Sequence, residues 1–238
     1  FFIWYVKNLL NMNIVITGAS KGIGKAIAER FAIENHRVII CSRKEENLKS
    51  IKDSFPSILT FLCDVSIKDE ILRFGDFVLE NFETIDVLIN NAGIFVPGKL
   101  TEEADGVLEK TIDTNLYSAY YLTRKLAPKF IEQRNGYIIN MCSVASFKAY
   151  ENGGSYSISK FALLGLSKTL REELKPYDIK VTAIMPGATL TDSWQGVDLP
   201  ENRFSKPEDI AELIYTITHI SKLSVVEELI IRPQLGDI

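Results

Sequence analysis

What this sequence lacks narrows its class before any motif is considered. A basic excess is missing: 27 Lys and Arg stand against 31 Asp and Glu, a formal net charge of −4, so no cationic footprint for nucleic acid is present. Cysteine is scarce. Cys41, Cys63 and Cys142 form no C-x-x-C pair and no metal-ligand spacing, which argues against a disulfide scaffold or a cysteine-held metal. Each lies in or beside an apolar run and reads as a buried, reduced thiol, as suits a cytoplasmic protein. The apolar stretch at the start, Phe1 to Leu10, is too short to span a bilayer and has neither a basic leader nor a small-residue cleavage site. Met12 opens the first clear strand, so residues 1–11 are expected to be an extension outside the fold. A short membrane-surface anchor is the competing reading. Repeats, low-complexity tracts and Pro/Gly-rich linkers are also missing, so residues 12–238 are expected to form one domain without a metal, a membrane partner or a nucleic-acid partner.

What is present is a rhythm. Hydrophobic residues make up 46% of the chain and charged residues 24%, enough apolar side chain for a substantial core. Short apolar runs at Ile14–Ile16, Val38–Cys41, Ile58–Cys63, Val87–Ile89, Tyr137–Cys142, Ile179–Met185 and Val226–Ile231 read as strands. Helical stretches lie between most of them: Gly22 to Glu34, with Ile23, Ile27, Ala28 and Phe31 on one face, and a charged helix over Glu45–Ser54. Strands alternating with helices imply βαβ units, hence a parallel sheet covered on both faces. Ser205-Lys206-Pro207-Glu208 resembles a capping box opening a final helix.

Thr17-Gly18-Ala19-Ser20-Lys21-Gly22-Ile23-Gly24 falls between the first strand and the first helix. Glycines there let the chain turn tightly and let a pyrophosphate approach with no Cβ in the way, while free N–H groups at the helix start favour the anion. The spacing is G-x-x-x-G-x-G, not the commoner G-x-G-x-x-G, and its place after a buried strand carries the reading. At the end of the second strand, an acidic residue would accept from a ribose 2′-OH. Ser42-Arg43 stands there instead, with Lys21 in the turn: two cations suited to a 2′-phosphate, hence NADPH over NADH. The alternative is that both are solvated surface charges.

Tyr156-Ser157-Ile158-Ser159-Lys160 places a phenol and an amine four residues apart on one helical face. A phenol exchanges protons poorly near neutrality, and a neighbouring ammonium favours its ionised form. Lys160, with the positive ring of an oxidised nicotinamide, is expected to lower the Tyr156 phenol so that it can protonate an alkoxide. Ser143, at the end of the Tyr137–Cys142 strand, is the hydroxyl placed to hold a carbonyl, because ligands gather outside the carboxyl ends of strands in such sheets.

Taken together, the Thr17–Gly24 turn, Asp64-Val65, Asn90-Asn91-Ala92-Gly93, Asn115, Ser143, Tyr156-x-x-x-Lys160 and Pro186-Gly187 resemble the short-chain dehydrogenase/reductase family, from Met12 to the C-terminus. The resemblance implies an α/β, Rossmann-type, doubly wound parallel sheet of about seven strands and an NADP-dependent oxidoreductase reducing a ketone or aldehyde. It implies catalytic roles for Asn115, Ser143, Tyr156 and Lys160. Cofactor contacts would come from Gly18, Ser20, Lys21, Gly22, Ile23, Gly24, Ser42 and Arg43, then Asp64 and Val65 at the adenine, Asn91, Ala92 and Gly93, and Pro186, Gly187 and Thr191 near the carboxamide. Tyr156 and Lys160 would touch the cofactor too, Lys160 at the nicotinamide ribose, and Asn115 would hold a water joining Lys160 to solvent. A homodimer or homotetramer is implied, with helices around 115–130 and 156–175 at its interface.

There are departures. Ser146 stands where the family often has glycine, a change expected to alter the pocket wall without removing a reacting group, and the C-terminus lacks an Asp-Gly-Gly ending. The Val225–Pro233 ending and Thr191-Asp192-Ser193-Trp194 look more like a bacterial sepiapterin-reductase-like branch. Ile94, Phe95, Phe147, Tyr150 and the loop from Ala188 to Phe204 are expected to line the pocket, with Trp194 stacking on a flat substrate or merely packing. Asp192, Asp198 and Asp237 are candidate carboxylate partners for a pterin edge. The rival readings are a 3-oxoacyl-[acyl-carrier-protein] reductase and a non-catalytic dinucleotide sensor.

Overall fold

The computed structural model describes residues 11–194, 196 and 198–238; the extension expected over residues 1–11 falls almost wholly outside them. Seven strands form one parallel sheet: β1 (Asn13–Thr17), β2 (Arg37–Ser42), β3 (Leu59–Leu62), β4 (Val87–Asn90), β5 (Gly136–Met141), β6 (Ile179–Pro186) and β7 (Glu228–Ile231). Their spatial order is β3-β2-β1-β4-β5-β6-β7, the doubly wound sheet expected from the sequence. The order reverses at β1 and β4, where Ile14 pairs with Val38 on one side and Val87 on the other. That reversal opens a crevice at the strand ends, because the chain leaves β1 and β4 toward opposite faces.

The helices sort by face. α1 (Gly22–Ile33), α2 (Glu45–Ser54) and α7 (Pro207–Thr218) cover one side of the sheet. α3 (Lys68–Asn81), α5 (Ser118–Gln133) and α6 (Gly154–Leu174) cover the other. The period-2 strand pattern feeds both layers: Ile14 and Ile16 enter the first core, Val15 the second, all fully buried. A short helix α4 (Val107–Ile112) runs into α5 through a π-helical turn, Asp113–Tyr117. Such turns recur at functional sites, and this one carries Asn115. Among the described residues, no helix is long and apolar enough to cross a membrane.

The expected capping box at α7 is not formed. Lys206 is the N-cap, with Pro207 at the first helical position and no side-chain cap. Ser205 is one residue too early and is drawn into a bridge with Thr189, its N–H donating to the Ala188 carbonyl at 3.0 Å. Proline's fixed φ starts the helix without a cap.

At the opposite end of the sheet from the crevice, His36 is 6% exposed and packs edge-on against Phe31. Its Nδ1 accepts from the Met12 N–H at 3.0 Å, so the neutral ring carries its proton on Nε2, which has no partner among the described residues. Burial, helped by His219, lowers its pKa from 6.5 to about 4. A group neutral in the fold and protonated in the unfolded chain stabilises fully above the unfolded value and less as acid is added. Urea midpoints should therefore fall as pH drops from 6.5 toward 4. In His36→Gln that part of the slope should vanish; an unchanged slope in the variant would place the acid sensitivity elsewhere.

Candidate active site

The glycine turn is held open from beneath. Gly18 and Gly22 have φ of +63° and +52°, which favour glycine. A Cβ on Gly24 would lie 2.4 Å from Asn91 Nδ2 and 2.7 Å from the Gly18 carbonyl. The same asparagine donates to the Thr17 and Gly18 carbonyls at 2.9 and 3.0 Å. Thr17 Oγ1 in turn accepts from the Asn91 and Ala92 N–H groups at 3.0 Å each. Asn91 and Ala92 therefore clamp the turn across the switch point. Thr17, to which the sequence alone assigns no role, supplies half of that clamp.

Around the turn, Ser20 and Ser42 share a hydrogen bond at 2.6 Å. Lys21 and Arg43 each face a carboxylate. Lys21 Nζ lies 2.7 Å from Asp192, and Arg43 lies 4.0 Å from Asp64. The spacing of cations along the chain could not show this, because Asp192 comes from the loop after β6. Both pairs are about half exposed, so each is worth roughly 0–1 kcal/mol and yields readily to a stronger anion. Asp64 also ties its own turn, Oδ1 accepting from the Ser66 N–H and hydroxyl, while Val65 is buried in the core beside it.

Ser143, Tyr156 and Lys160 meet where β4, β5 and β6 end. α6 carries Tyr156 in its first turn and Lys160 one turn on. Lys160 is 4% exposed, and Nζ donates to the Met141 carbonyl at 2.6 Å, a partner that no local pattern in the sequence identifies. Burial pulls its pKa down to about 8. Tyr156 packs edge-to-face against Phe95, ring centroids 5.0 Å apart, with Lys160 Nζ 5.7 Å from its ring centroid. In the chain alone its phenol is raised: burial dominates, and the hydrogen bond with Ser143 only opposes it. The amine is too far around the ring to overcome that on its own.

Ser143 follows β5 by two residues and caps a 3-10 turn over Val144–Ser146, its Oγ accepting from the Ala145 N–H at 3.1 Å. Ser146, the departure from the family's glycine, completes a capping box by accepting from the Ser143 N–H at 3.1 Å. It holds the serine rather than altering the pocket wall. Asn115 is a bracket. Its Oδ1 accepts from the Ile94 N–H at 2.7 Å, and its Nδ2 donates to the Ile94 carbonyl at 3.0 Å and to Ser159 at 2.9 Å. Its head group and the Lys160 amine converge on Gly93, where a Cβ would lie 3.3 Å from one and 3.5 Å from the other.

These groups open into a cavity of about 530 Å³. Ile23, Asn91, Gly93, Pro186, Gly187 and Thr191 line the side toward the turn. Ile94, Phe95, Tyr150, Trp194 and Asp237 line the other. Trp194 both borders the cavity and packs on Phe204 at 5.2 Å. Phe147 does not line it; that ring is exposed, with the Arg232 guanidinium 5.8 Å from it. Of the three carboxylates, Asp237 alone forms part of the cavity wall; Asp192 faces Lys21, and Asp198 is exposed.

A doubly wound sheet with a glycine turn at its switch point and a serine, tyrosine and lysine at its strand ends defines a nucleotide-binding α/β protein. The family model for short chain dehydrogenase matches residues 12–202, and the chain belongs to that family of oxidoreductases. It is 33% identical over 237 residues to a sepiapterin reductase of Chlorobaculum tepidum, covering 94% of this chain and 97% of that protein. Among solved structures it is similar to a metagenomic short-chain oxidoreductase in complex with NADP, with TM-score 0.83 and 30% identity over 96% of this chain and all of that one. It also resembles a variant of actinorhodin polyketide ketoreductase with NADPH, with TM-score 0.87 and 26% identity over 97% and 99% of the two chains.

The clamp predicts opposite outcomes for two Gly→Ala changes. Gly24→Ala forces a methyl into Asn91 and the turn, so it should cost roughly 1–3 kcal/mol, read as a lower denaturant midpoint. Gly165→Ala on α6 meets nothing within 4 Å and should be neutral or stabilise by up to about 1 kcal/mol. Equal losses in both would mean that the turn is not so tightly packed.

Proposed function

We propose that this protein is an NADPH-dependent carbonyl reductase in which Tyr156 delivers a proton to the oxygen of a ketone or aldehyde. The observation that carries the reading is the convergence of Ser143, Tyr156 and Lys160 on one cavity that also reaches the glycine turn. The turn fits a pyrophosphate: its glycines adopt a positive-φ bend in which a Cβ on Gly18 would run into Ala92 and one on Gly22 into Thr191, and its wall is fixed from behind by Thr17 and Asn91. Relatives solved with NADP and NADPH support the choice of cofactor. Gly18, Ser20, Gly22, Ile23 and Gly24 would hold the phosphates; Ser42, Arg43 and Lys21 the 2′-phosphate; Asp64 and Val65 the adenine; Gly93, Pro186, Gly187 and Thr191 the nicotinamide end. Bound NADPH supplies a hydride.

The chain's own groups do the rest. Ser143 holds the carbonyl oxygen, and Tyr156, a protonated phenol at neutral pH, is positioned to donate to it. Lys160 keeps a positive charge near that oxygen while protonated and can bind the ribose hydroxyls. The Asn115 amide, engaged by Ile94 and Ser159, fixes the floor of the site beside Lys160. Phe95 and Trp194 would offer aromatic surfaces to a flat substrate, and Asp237, already faced by Tyr150, Lys148 and Arg232, would accept from an N–H only in competition with them; a pterin side-chain ketone has that chemistry, and the Chlorobaculum relative supports it. The enzyme would act in the cytoplasm as a homodimer or homotetramer through α5 with the π-helical turn before it, where Tyr117 is exposed, and α6, where Ile158 and Phe161 are exposed.

Steady-state reduction of pterin ketones against 3-oxoacyl thioesters tests the substrate class. Tyr156→Phe should lower kcat by roughly 100- to 10,000-fold with a reducible ketone; an unchanged rate would remove Tyr156 from the chemistry, and no reduction by the wild type of any ketone tried would leave a dinucleotide sensor. The reduction rate should also fall on the alkaline side as Lys160 loses its proton near pH 8. A pH profile flat to 10 would remove the lysine charge from the mechanism.

Arg43 leaves a weak partner for a bidentate one when a 2′-phosphate binds. Arg43→Ala should therefore raise the Kd for NADPH about 10- to 100-fold, a loss of about 1.5–3 kcal/mol for a hydrogen bond to a charged group. NADH binding, measured by fluorescence titration, should be unaffected. An equal loss for both cofactors would assign Arg43 to the turn instead.

A further inference from the structure

The helix that carries both Tyr156 and Lys160 starts without a cap of its own. Its N-cap is Gly153, which has no side chain to offer the free N–H groups of the first turn. The missing acceptor comes from a distant loop. Glu103 Oε1 accepts from the Ser155 N–H at 2.9 Å, and Glu103 Oε2 accepts from the Ser155 hydroxyl. A carboxylate is the strongest acceptor for such donors, and it sits at the positive end of the helix dipole. The loop is itself strapped to the segment before the helix: Gly98 bridges Gly153, and its N–H donates to the Asn152 carbonyl at 3.0 Å. Gly154, with φ of +20°, has no room for a Cβ, which would lie 1.9 Å from Glu103 Oε1.

We infer that Glu103 is a positioning residue for the proton donor: by capping the helix from outside, it fixes the first turn and with it the Tyr156 phenol. The inference rests on the reductase reading above. Tyr156 is the residue next to Ser155, so any fraying of this turn moves the phenol first. Lys160 is held separately, one turn deeper, by the Met141 carbonyl. The glycine turn is clamped by Thr17 and Asn91, which Glu103 does not touch. Loss of Glu103 should thus displace the phenol relative to Ser143 and Lys160 while leaving the dinucleotide site intact. A displacement of about 1 Å at a reacting group can cost about 100-fold in rate.

The test is a cycle of four full-length proteins: wild type, Glu103→Ala, Tyr156→Phe and the double variant, assayed with NADPH and a reducible ketone. Glu103→Ala should lower kcat about 10- to 100-fold and keep the NADPH Kd and the ketone KM within about twofold. In the Tyr156→Phe background the same change should cost less than about twofold, because a group acting through the phenol has nothing left to position. Glu103→Gln keeps an acceptor for the Ser155 N–H and should recover most of the rate. The idea fails if Glu103→Ala keeps full kcat, or if its loss is as large without the phenol as with it. It also fails if kcat and NADPH binding stoichiometry fall together in Ala and Gln alike, the mark of a folding defect. If wild type and Tyr156→Phe reduce the ketone equally, the reductase reading fails. Amide exchange at Ser155 and Tyr156, faster in Glu103→Ala if the cap is real, then still reports on the clamp.

Discussion

Burying the Lys160 amine among the ends of three strands is the constraint that organises this site. An ammonium taken out of water is costly unless it finds partners, and here Met141 offers a carbonyl at 2.6 Å. That carbonyl is available because β5 stops at Met141, the chain turning away into the 3-10 segment that Ser143 caps. Gly93 leaves open the space next to the amine, and Asn115 closes its floor through the π-helical turn. Moving any of these elements would leave the amine without its partner, so a single buried charge couples the register of β5, the start of α6 and the end of β4.

Beneath the amine the sheet is stitched by polar bonds as well as apolar packing. Asn90 donates to Thr123 at 3.0 Å and to Asn140 at 2.8 Å, and Asn140 donates to Ser167 at 2.8 Å. The chain of bonds runs from β4 across β5 into α6, inside the layer that supports Lys160. Buried polar networks are costly when broken and specific when complete. This one locks α6 to the sheet at its middle, as Glu103 caps it at its start. A helix fixed at both places carries its side chains with little freedom.

Much of this is legible in the chain. The strand runs, the glycine turn and the Tyr156–Lys160 spacing are local signals, since apolar periodicity and i,i+4 geometry are set by residues near each other in sequence. The features that sequence alone misreads share a different property: each depends on a partner far along the chain. Lys21 looks free because Asp192 lies 171 residues away. Ser205 looks like a cap because nothing local shows that Thr189 claims it as a bridge partner. Glu103 looks like one charge among many, and only folding brings it to Ser155, 52 residues on. Phe147 follows Ser146 in the chain, yet the 3-10 turn swings it outward. Ser146 shows the same effect from the other side, a departure that reads as a change in the pocket wall and in the fold holds the backbone of Ser143.

Electrostatics at the reacting end decides where the proton rests. Desolvation acts on both titratable groups but with opposite consequences: it raises the phenol of Tyr156 and lowers the amine of Lys160, each toward its neutral form. In water the two groups hold their protons about equally well, at about 10 for the phenol and about 10.4 for the amine. Here the phenol holds its proton well after the amine has released one, and it stays protonated throughout the neutral range. A site so tuned carries its proton on the phenol oxygen. Abstraction from an alcohol requires the phenolate, which burial disfavours and which only an added positive charge over the cavity would stabilise. On the reductase reading proposed above, the resting protonation state of this pair is the one that donation to an alkoxide requires.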